Sequence, residues 1–201
     1  MTARLKNSAI LLAFFIILLF PFLGAWTLFF KGEPHSLSTS NHGELITPLR
    51  NITALKLQDL DQNTLIPASS LAQQWWLVYL GPEKCQQACH HTLYNMRQIR
   101  TALGKDSHRL GKLFIAHPHC PQSVCEQFIS EQYPDLRKIR FNPQDFESLF
   151  LTVGNKNERT LVGELYILDP QGNFMMRYSI ESPPKEILQD LKRLLKVSKV
   201  G

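Results

Sequence analysis

The sequence predicts an α/β sandwich of three layers with a mixed central sheet, preceded by one N-terminal transmembrane helix. Residues 75–80 and 113–116 are apolar runs of strand length, as expected for strands covered on both faces of a sheet. Between these runs, apolar residues recur every three or four positions, which is the spacing of an amphipathic helix. These apolar positions are Leu93, Met96, Ile99 and Leu103. A strand, a helix and a second strand in this order predict a right-handed parallel crossover.

The predicted transmembrane helix is an uncharged apolar run at residues 8–30. At a rise of 1.5 Å per residue, a helix of this length spans the roughly 30 Å of a bilayer's hydrocarbon core. Arg4 and Lys6 precede the run, which places residues 1–7 in the cytoplasm and the rest of the chain outside it. We expect the periplasmic side of a bacterial inner membrane. A cleaved signal peptide is the alternative, although residues 23–25 match its small-residue cleavage pattern poorly.

The remaining residues divide into a tether and one exported domain. Proline, glycine and serine are frequent after the apolar run, so residues 31–50 are predicted as the tether and residues 51–201 as the domain. The formal net charge of +5 and the pI near 9.1 favour an anionic lipid surface or an acidic partner. Export argues against nucleic acid as a partner. The sequence has no glycine-rich phosphate loop and no serine-nucleophile motif, which argues against nucleotide binding and hydrolysis.

Other elements complete the predicted domain. A short hairpin precedes the first buried strand, and an antiparallel pair of strands and a lysine-rich amphipathic helix close the chain. Two helices lie in between, of which the second begins at Asn142 with a proline in its first turn. The predicted ranges are 54–60 with 64–66 for the hairpin, 123–133 and 142–154 for the helices, and 165–168 with 174–178 for the strand pair.

Cys85 and Cys89 are separated by three residues and lie between the strand at residues 75–80 and the amphipathic helix. A thiol at a helix N-terminus feels the positive end of the backbone dipole, which favours the thiolate, and Lys84 adds a positive charge beside Cys85. The thiolate is the form that attacks disulfides and binds soft metals. Cys85 and Cys89 are therefore the candidate catalytic pair, with Cys85 as the attacking thiol.

Two histidines follow the second buried strand. Loops that follow parallel strands lie at the same edge of a sheet, so residues 117–125 should lie close to Cys85 and Cys89. This loop contains His117 and His119. Imidazoles together with thiolates form a ligand set for copper or zinc. The two histidines and the two cysteines are therefore candidate metal ligands.

The same loop carries the other two cysteines, Cys120 and Cys125. An even number of cysteines in an exported domain is consistent with disulfides, which persist outside the cytoplasm. Cys120 and Cys125 are a candidate second disulfide, which would either only lock the loop or take part in function. Four cysteines allow three pairings, and their spacing alone does not choose among them.

Two motifs resemble the Sco/SenC family of membrane-anchored, thioredoxin-like proteins. The first is Trp-Leu-Val-Tyr-Leu-Gly at residues 76–81, followed by Cys85 and Cys89 with three residues between them. The second is Tyr-Ile-Leu-Asp-Pro-Gln-Gly at residues 166–172. The resemblance extends from about residue 54 to the C-terminus and includes the single anchor. It implies a thioredoxin-like sandwich, although a generic thioredoxin would place two residues between its cysteines.

The resemblance implies copper and thiol handling during cytochrome c oxidase assembly, with an oxidase subunit or another respiratory assembly protein as partner. Cys85 and Cys89 match the family's two thiolate copper ligands, which are also its redox pair. The family has a histidine ligand shortly before the strand that corresponds to residues 165–168, whereas residues 158–162 contain none. The family's aspartate-proline loop is replaced here by residues 117–125. The chain therefore resembles a divergent member of the family.

Three functions remain open from the sequence. The first is thiol-disulfide exchange at Cys85 and Cys89, which would make the protein an oxidoreductase. The second is copper delivery or storage, in which the same thiolates bind Cu(I) and His117 or His119 adds a third ligand. The third is a non-catalytic assembly or interaction module whose four cysteines form two structural disulfides. The sequence favours the redox function first and the copper function second.

Overall fold

The computed structural model describes residues 13–24, 26, 41–121, 129–150, 162–198 and 200. The chain forms two compact units, Met1–Ser40 and Asn41–Gly201. In the first unit, residues 13–24 are helical. Among the described residues, no helix combines the length and the apolar character that crossing a membrane requires. Residues 8–12, 25 and 27–30 of the predicted anchor lie outside the described residues, so the anchor stays a prediction.

A mixed sheet of eight strands forms the centre of the second unit and confirms the predicted α/β class. The strands are β1 (Glu44–Asn51), β2 (Lys56–Asp59), β3 (Thr64–Pro67), β4 (Trp75–Leu80), β5 (Leu110–Ala116), β6 (Arg137–Phe141), β7 (Leu165–Leu168) and β8 (Asn173–Tyr178). Their order across the sheet is β1-β8-β7-β4-β5-β6-β2-β3. β5 pairs in parallel with β4 and β6, and the remaining neighbours are antiparallel. The predicted hairpin and the predicted C-terminal strand pair are both present.

The α-helices described in the second unit are α1 (Gln87–Ala102), α2 (Ile129–Gln132), α3 (Pro143–Phe150) and α4 (Pro184–Val197). α1 connects the parallel strands β4 and β5, as the sequence predicts. Its apolar stripe and that of α4 pack together in one cluster on one face of the sheet, and the aromatic side chains of α3 pack on the other face. The unit is therefore a three-layer sandwich. Residues 123–128 of one predicted helix and residues 151–154 of the next lie outside the described residues.

The central strand β4 divides its side chains between the two apolar clusters. Leu77 and Tyr79 belong to the cluster that contains α1, whereas Trp76 and Val78 belong to the cluster that contains α3. This alternation follows from the two-residue period of a strand. Every residue of β4 is buried, which explains why its sequence is a continuous apolar run rather than an alternating one.

Two strands differ from the sequence prediction. β1 occupies Glu44–Asn51 and pairs with β8, so the last part of the predicted tether at residues 31–50 belongs to the sheet. The compact unit begins at Asn41, rather than at residue 51. β6 was not predicted as a strand, because three of its five residues are basic. Its Lys138 is 2% exposed and its ammonium lies 2.7 Å from a carboxylate oxygen of Asp61.

The beginning of the second unit is held by a buried carboxylate on α4. Asp190, which is 2% exposed, accepts hydrogen bonds from the backbone N–H groups of His42 (2.8 Å) and Gly43 (3.0 Å). The same oxygen accepts a third hydrogen bond from the Tyr178 hydroxyl at 3.0 Å. This arrangement ties the chain just before β1 to the C-terminal helix.

Candidate functional site

The candidate site is built on the loop that joins β4 to α1. Gly81 follows the strand, and a Cβ atom at this position would overlap the ring of Phe114, so the close approach to β5 requires glycine. α1 begins after Gln86, whose extended backbone makes it the N-cap and whose side chain makes no capping hydrogen bond. The positive end of the helix therefore faces the loop without a side-chain cap from Gln86.

Cys85 and Cys89 form a disulfide, with their Cα atoms 5.2 Å apart. Cys89 lies in the first turn of α1 and is 1% exposed, inside the cluster of apolar residues between α1 and the sheet. Cys85 is half-buried and packs against the edge of the same cluster, and the preceding Lys84 is exposed. The pair therefore has an inner sulfur, on Cys89, and an outer sulfur, on Cys85.

A buried tyrosine of the central strand is hydrogen-bonded to α1 through Thr92. Tyr79 is 1% exposed, and its ring centroid lies 6.0 Å from that of Phe114. Burial raises the pKa of Tyr79 to about 12, and a hydrogen bond with the Thr92 side chain acts in the opposite direction. The Thr92 hydroxyl also donates to the Ala88 carbonyl at 2.9 Å. Tyr79 is therefore a neutral phenol within the apolar cluster that contains Cys89.

The segment just before Cys85 contacts the histidine loop through Glu83 and His117. The Glu83 carboxylate lies 3.8 Å from Nδ1 of His117, while the backbone N–H of His119 donates to the same nitrogen at 3.2 Å. An accepting nitrogen carries no proton, so the hydrogen bond and an ion pair at this atom exclude each other. Burial is the main cause that lowers the pKa of His117, and Glu83 partly offsets it. The neutral ring, with Nδ1 as acceptor, is therefore the state that fits the contacts.

The second histidine of the loop is more exposed than the first. The ring centroids of His117 and His119 lie 5.5 Å apart. The His117 ring also makes an edge contact with Phe146 of α3, at 5.1 Å between centroids. His119 itself is exposed at the surface. The pair is thus brought together, with His117 held against α3.

Cys120 lies next in this loop and is itself in a disulfide. It is 5% exposed and belongs to the same apolar cluster as Cys89. Its backbone N–H donates to the His117 carbonyl at 2.9 Å, and its carbonyl accepts from Arg140 at 3.2 Å. Cys125 lies outside the described residues. The described cysteines include no free thiol.

Copper would need cysteine thiolates, and in this structure the sulfurs of Cys85 and Cys89 are bonded to each other. Across the described ranges, no three histidine, cysteine, aspartate or glutamate side chains are grouped closely enough to hold a metal ion. Reduction would release two thiolates, which match the preference of Cu(I) for soft sulfur ligands. At His117, Nδ1 accepts a hydrogen bond from the His119 amide, so Nε2 of the neutral ring carries the proton, and copper binding at either nitrogen would require this hydrogen bond to break. Residues 158–161, where the family histidine is missing, lie outside the described residues.

Two residues that support the site were missed from the sequence. Glu83 could have been found, because an acidic residue two positions before Cys85 lies in a loop that was expected to meet His117. Tyr133 could not have been found from the sequence, since its hydroxyl donates at 3.3 Å to the carbonyl of His90, which is 43 positions away. Tyr133 braces the first turn of α1 from the segment that precedes β6.

Comparison with solved structures shows the fold of Sco proteins. Bradyrhizobium japonicum ScoI with copper bound is 20% identical, with a TM-score of 0.51 over 75% of this chain and 98% of that chain. Apo Sco1 from Thermus thermophilus is 14% identical, with a TM-score of 0.59 over 79% and 99%. A SCO1/SenC family lipoprotein from Bacillus anthracis is 16% identical, with a TM-score of 0.54 over 74% and 98%. At these identities the likeness establishes the thioredoxin-like fold.

A family model described as "Transmembrane-like, thioredoxin-like, C-terminal domain" matches residues 75–198. The matched region begins at β4 and ends just after α4, so it contains the disulfide and the histidine loop. No curated protein sequence matches the chain. The chain thus belongs to the transmembrane-like, thioredoxin-like C-terminal domain family and has the fold of the Sco/SenC proteins that its two motifs resemble.

Proposed function

We propose that this protein is a membrane-anchored thiol-disulfide exchange protein of cytochrome c oxidase assembly, with Cys85 and Cys89 as its redox pair. The observation that carries the proposal is the disulfide between an outer Cys85 and an inner Cys89 at the beginning of α1. Two cysteines four positions apart, one before α1 and one in its first turn, can form and break this bond within the fold. The predicted anchor would hold the domain on the periplasmic side of the membrane, where such partners are found.

The reaction begins from the reduced pair. The Cys85 thiolate attacks a disulfide sulfur of the partner, forms a mixed disulfide and expels the partner's other sulfur as a thiolate. The Cys89 thiolate then attacks the Cys85 sulfur and releases the second partner thiolate. Two electrons pass from the pair to the partner, two protons follow to the partner's thiols, and the Cys85–Cys89 disulfide of this structure is the product.

Cys85 is the attacking residue for two reasons. A partner must reach the sulfur, and Cys85 is half-buried whereas Cys89 is 1% exposed. Lys84 and the N-terminus of α1 also place positive charge beside the thiolate. Cys89, inside the apolar cluster, is the resolving residue that acts once the mixed disulfide has formed.

The two cysteine roles are tested with serine variants of the full chain in detergent. Each reduced variant is mixed with a disulfide-linked peptide dimer, and the products are separated without reductant and weighed by mass spectrometry. We expect Cys89→Ser to accumulate a mixed disulfide through Cys85, and Cys85→Ser to react far more slowly. Mixed disulfides that form equally in both variants would contradict the roles. Wild-type disulfides that resist mild reductant altogether would favour the non-catalytic module.

Copper delivery is the second function, with the metal ion as cargo. It is favoured by the copper-bound ScoI structures of Bradyrhizobium japonicum and Arabidopsis thaliana, which share this fold. Cys85 and Cys89 would bind Cu(I) after reduction, since two thiolates suffice for a linear site, with His117 or His119 as a further donor. We expect the reduced full chain to retain one copper per chain against a chelator and Cys85→Ser to lose it. No retention by the reduced wild type would exclude this function.

A further inference from the structure

We propose that a groove beside the disulfide binds an apolar side chain of the partner polypeptide, next to the partner's reacting cysteine, and that Ile180 is the specificity residue of this groove. The inference rests on the proposed thiol-disulfide exchange and names its substrate class. The groove has a volume of about 390 Å³ and is lined by Gln87, Ala88, His91 and Ile180.

The sheet topology places Ile180 at the same edge as the disulfide. β4 is antiparallel to β7, and β7 is antiparallel to β8, so β8 runs in the same direction as β4. The residues that follow the two strands therefore lie at one edge of the sheet. Cys85 follows β4, and Ile180 comes two residues after the end of β8.

The wall opposite Ile180 is the first turn of α1. Ala88 immediately precedes Cys89, and Gln87 and His91 are one helical turn apart on the same face. Tyr94, which is 54% exposed, continues this face by a further turn. The α1 face that borders the groove therefore begins beside Cys89 and continues to an exposed aromatic residue, a residue type that is enriched at protein interfaces.

Within the described part of the chain, Ile180 is not part of the buried core. Its side chain belongs to neither apolar cluster, and the residue is 50% exposed. A half-exposed branched aliphatic residue beside a reactive site gains free energy when a partner covers it. An Ile-to-Ser change removes this gain without leaving a cavity in the core.

The chemistry of exchange identifies the occupant. During the reaction a partner sulfur is bonded to Cys85, so the partner residues on either side of its cysteine must lie against the surface near that atom. An extended chain advances about 3.5 Å per residue, which brings the neighbouring partner side chain to the first turn of α1. The groove volume lies at the low end for ligand pockets, which suits a side chain of a docked segment.

The test uses the reduced full chain in detergent and two symmetrical peptide disulfides, the dimers of Gly-Cys-Leu-Gly and Gly-Cys-Ser-Gly. The rate of oxidation of Cys85 and Cys89 is followed by acid quenching, alkylation and mass spectrometry. Both peptides undergo the same chemical step and differ only in the side chain beside the cysteine. We expect the wild type to react roughly tenfold faster with the leucine peptide, the discrimination that a hydrophobic pocket gives for an added aliphatic group.

The variants separate docking from chemistry. Ile180→Ser should slow the leucine peptide to the rate of the serine peptide and leave the serine peptide unchanged, and Ile180→Val should retain most of the preference. The matched control is Leu65→Ser, because Leu65 is 75% exposed on β3 at the far end of the sheet. This control should keep the wild-type ratio. A preference that survives Ile180→Ser, or a loss of rate with both peptides alike, would overturn the docking site.

The same assay distinguishes failure of the docking site from failure of the proposed function. Equal wild-type rates with the two peptides would remove the docking site and leave thiol-disulfide exchange intact. If the reduced wild type reacts with neither peptide while dithiothreitol reduces both, the exchange function fails, and the docking proposal falls with it.

Discussion

Removing the carboxylate of Asp190 should destabilise the second unit and loosen the entry of β1. One oxygen of Asp190 accepts three hydrogen bonds, from the backbone N–H groups of His42 and Gly43 and from the Tyr178 hydroxyl. Its other oxygen lies 3.6 Å from the guanidinium of Arg193. An Asp190→Ala variant would leave these donors at a buried position without their acceptor.

The expected loss of stability follows from the burial of Asp190. Asp190 is 2% exposed, so water does not replace the missing acceptor without opening the structure. Breaking a buried charged network by removing one partner costs about 3–5 kcal/mol. Asp190→Asn keeps an oxygen acceptor and loses the charge, so its cost should be about 1–2 kcal/mol. The larger loss is a substantial part of a typical free energy of unfolding of about 5–15 kcal/mol.

The assay is urea unfolding of the full chain in detergent, combined with hydrogen exchange of the backbone amides. In Asp190→Ala, the amides of residues 42 and 43 should exchange faster than in the wild type, ahead of the rest of the sheet. Gln189→Ala is the matched control, because its side chain forms a hydrogen bond with the exposed ring of His42, at 2.9 Å, and its cost should stay below about 0.5 kcal/mol. A loss below about 1 kcal/mol in Asp190→Ala, with unchanged exchange at residues 42 and 43, would refute this reasoning.

Four further variants test other contacts by the same unfolding assay. Gly81→Ala should cost about 1–3 kcal/mol, because its Cβ would overlap the Phe114 ring, and a neutral result would show that β5 yields easily. The pKa of His117 is lowered in the folded state, so unfolding takes up a proton, and stability should fall as the pH drops below about 6.5. His117→Gln should reduce this pH dependence of stability. An unchanged pH profile in the variant would assign the dependence to other groups. Lys138→Met should cost less than about 1 kcal/mol, since the Asp61 carboxylate left behind is 43% exposed. Asp61→Ala leaves the buried Lys138 ammonium without its carboxylate and should cost about 2–3 kcal/mol. A larger loss in Lys138→Met than in Asp61→Ala would contradict this account.

The sequence predicts well those elements whose apolar residues follow a regular pattern, either a continuous run or a helical spacing. β4 is buried at all six positions and reads as a continuous apolar run. α1 buries Leu93, Met96 and Ile99 at helical spacing, and Gly104 follows it with a positive φ of 60°, a conformation that glycine adopts readily. In these elements the residues that form the core also set the periodicity, so local sequence is sufficient.

β6 could not be predicted because its burial depends on distant partners. Its sequence, Arg-Lys-Ile-Arg-Phe, has the composition of an exposed segment. Lys138 can be buried only because Asp61 and the carbonyl of Leu136 receive its ammonium. Asp61 lies after β2, more than seventy positions earlier, and only the pairing of β2 with β6 brings the two together. No local pattern encodes that contact.

The sequence places β1 in the tether for a similar reason. Glu44–Asn51 is mostly exposed, carries a proline and forms the edge of the sheet, so it lacks the apolar run of a central strand. Its position depends on pairing with β8 and on the Asp190 hydrogen bonds to residues 42 and 43. The sequence did contain a signal at Asp190, since an acidic residue stands beside Ile187 and Leu191 on the buried face of α4. An isolated carboxylate on an apolar face indicates a buried acceptor with a partner elsewhere in the chain.

At the candidate site, the spacing of Cys85 and Cys89 predicted a reactive pair, but only the structure separates an outer sulfur from an inner one. The disulfide between these two sulfurs also determines the order in which the two proposed functions can occur. Copper binding needs two thiolates, and the disulfide removes both, so the same two sulfurs cannot hold copper and an S–S bond together. Within the proposed function, reduction of the pair must therefore precede copper uptake. A copper-loaded pair would in turn be protected from peptide disulfides, so adding one equivalent of Cu(I) to the reduced chain should suppress its oxidation in the exchange assay. Oxidation at an undiminished rate would show that copper, if retained, is held elsewhere in the chain.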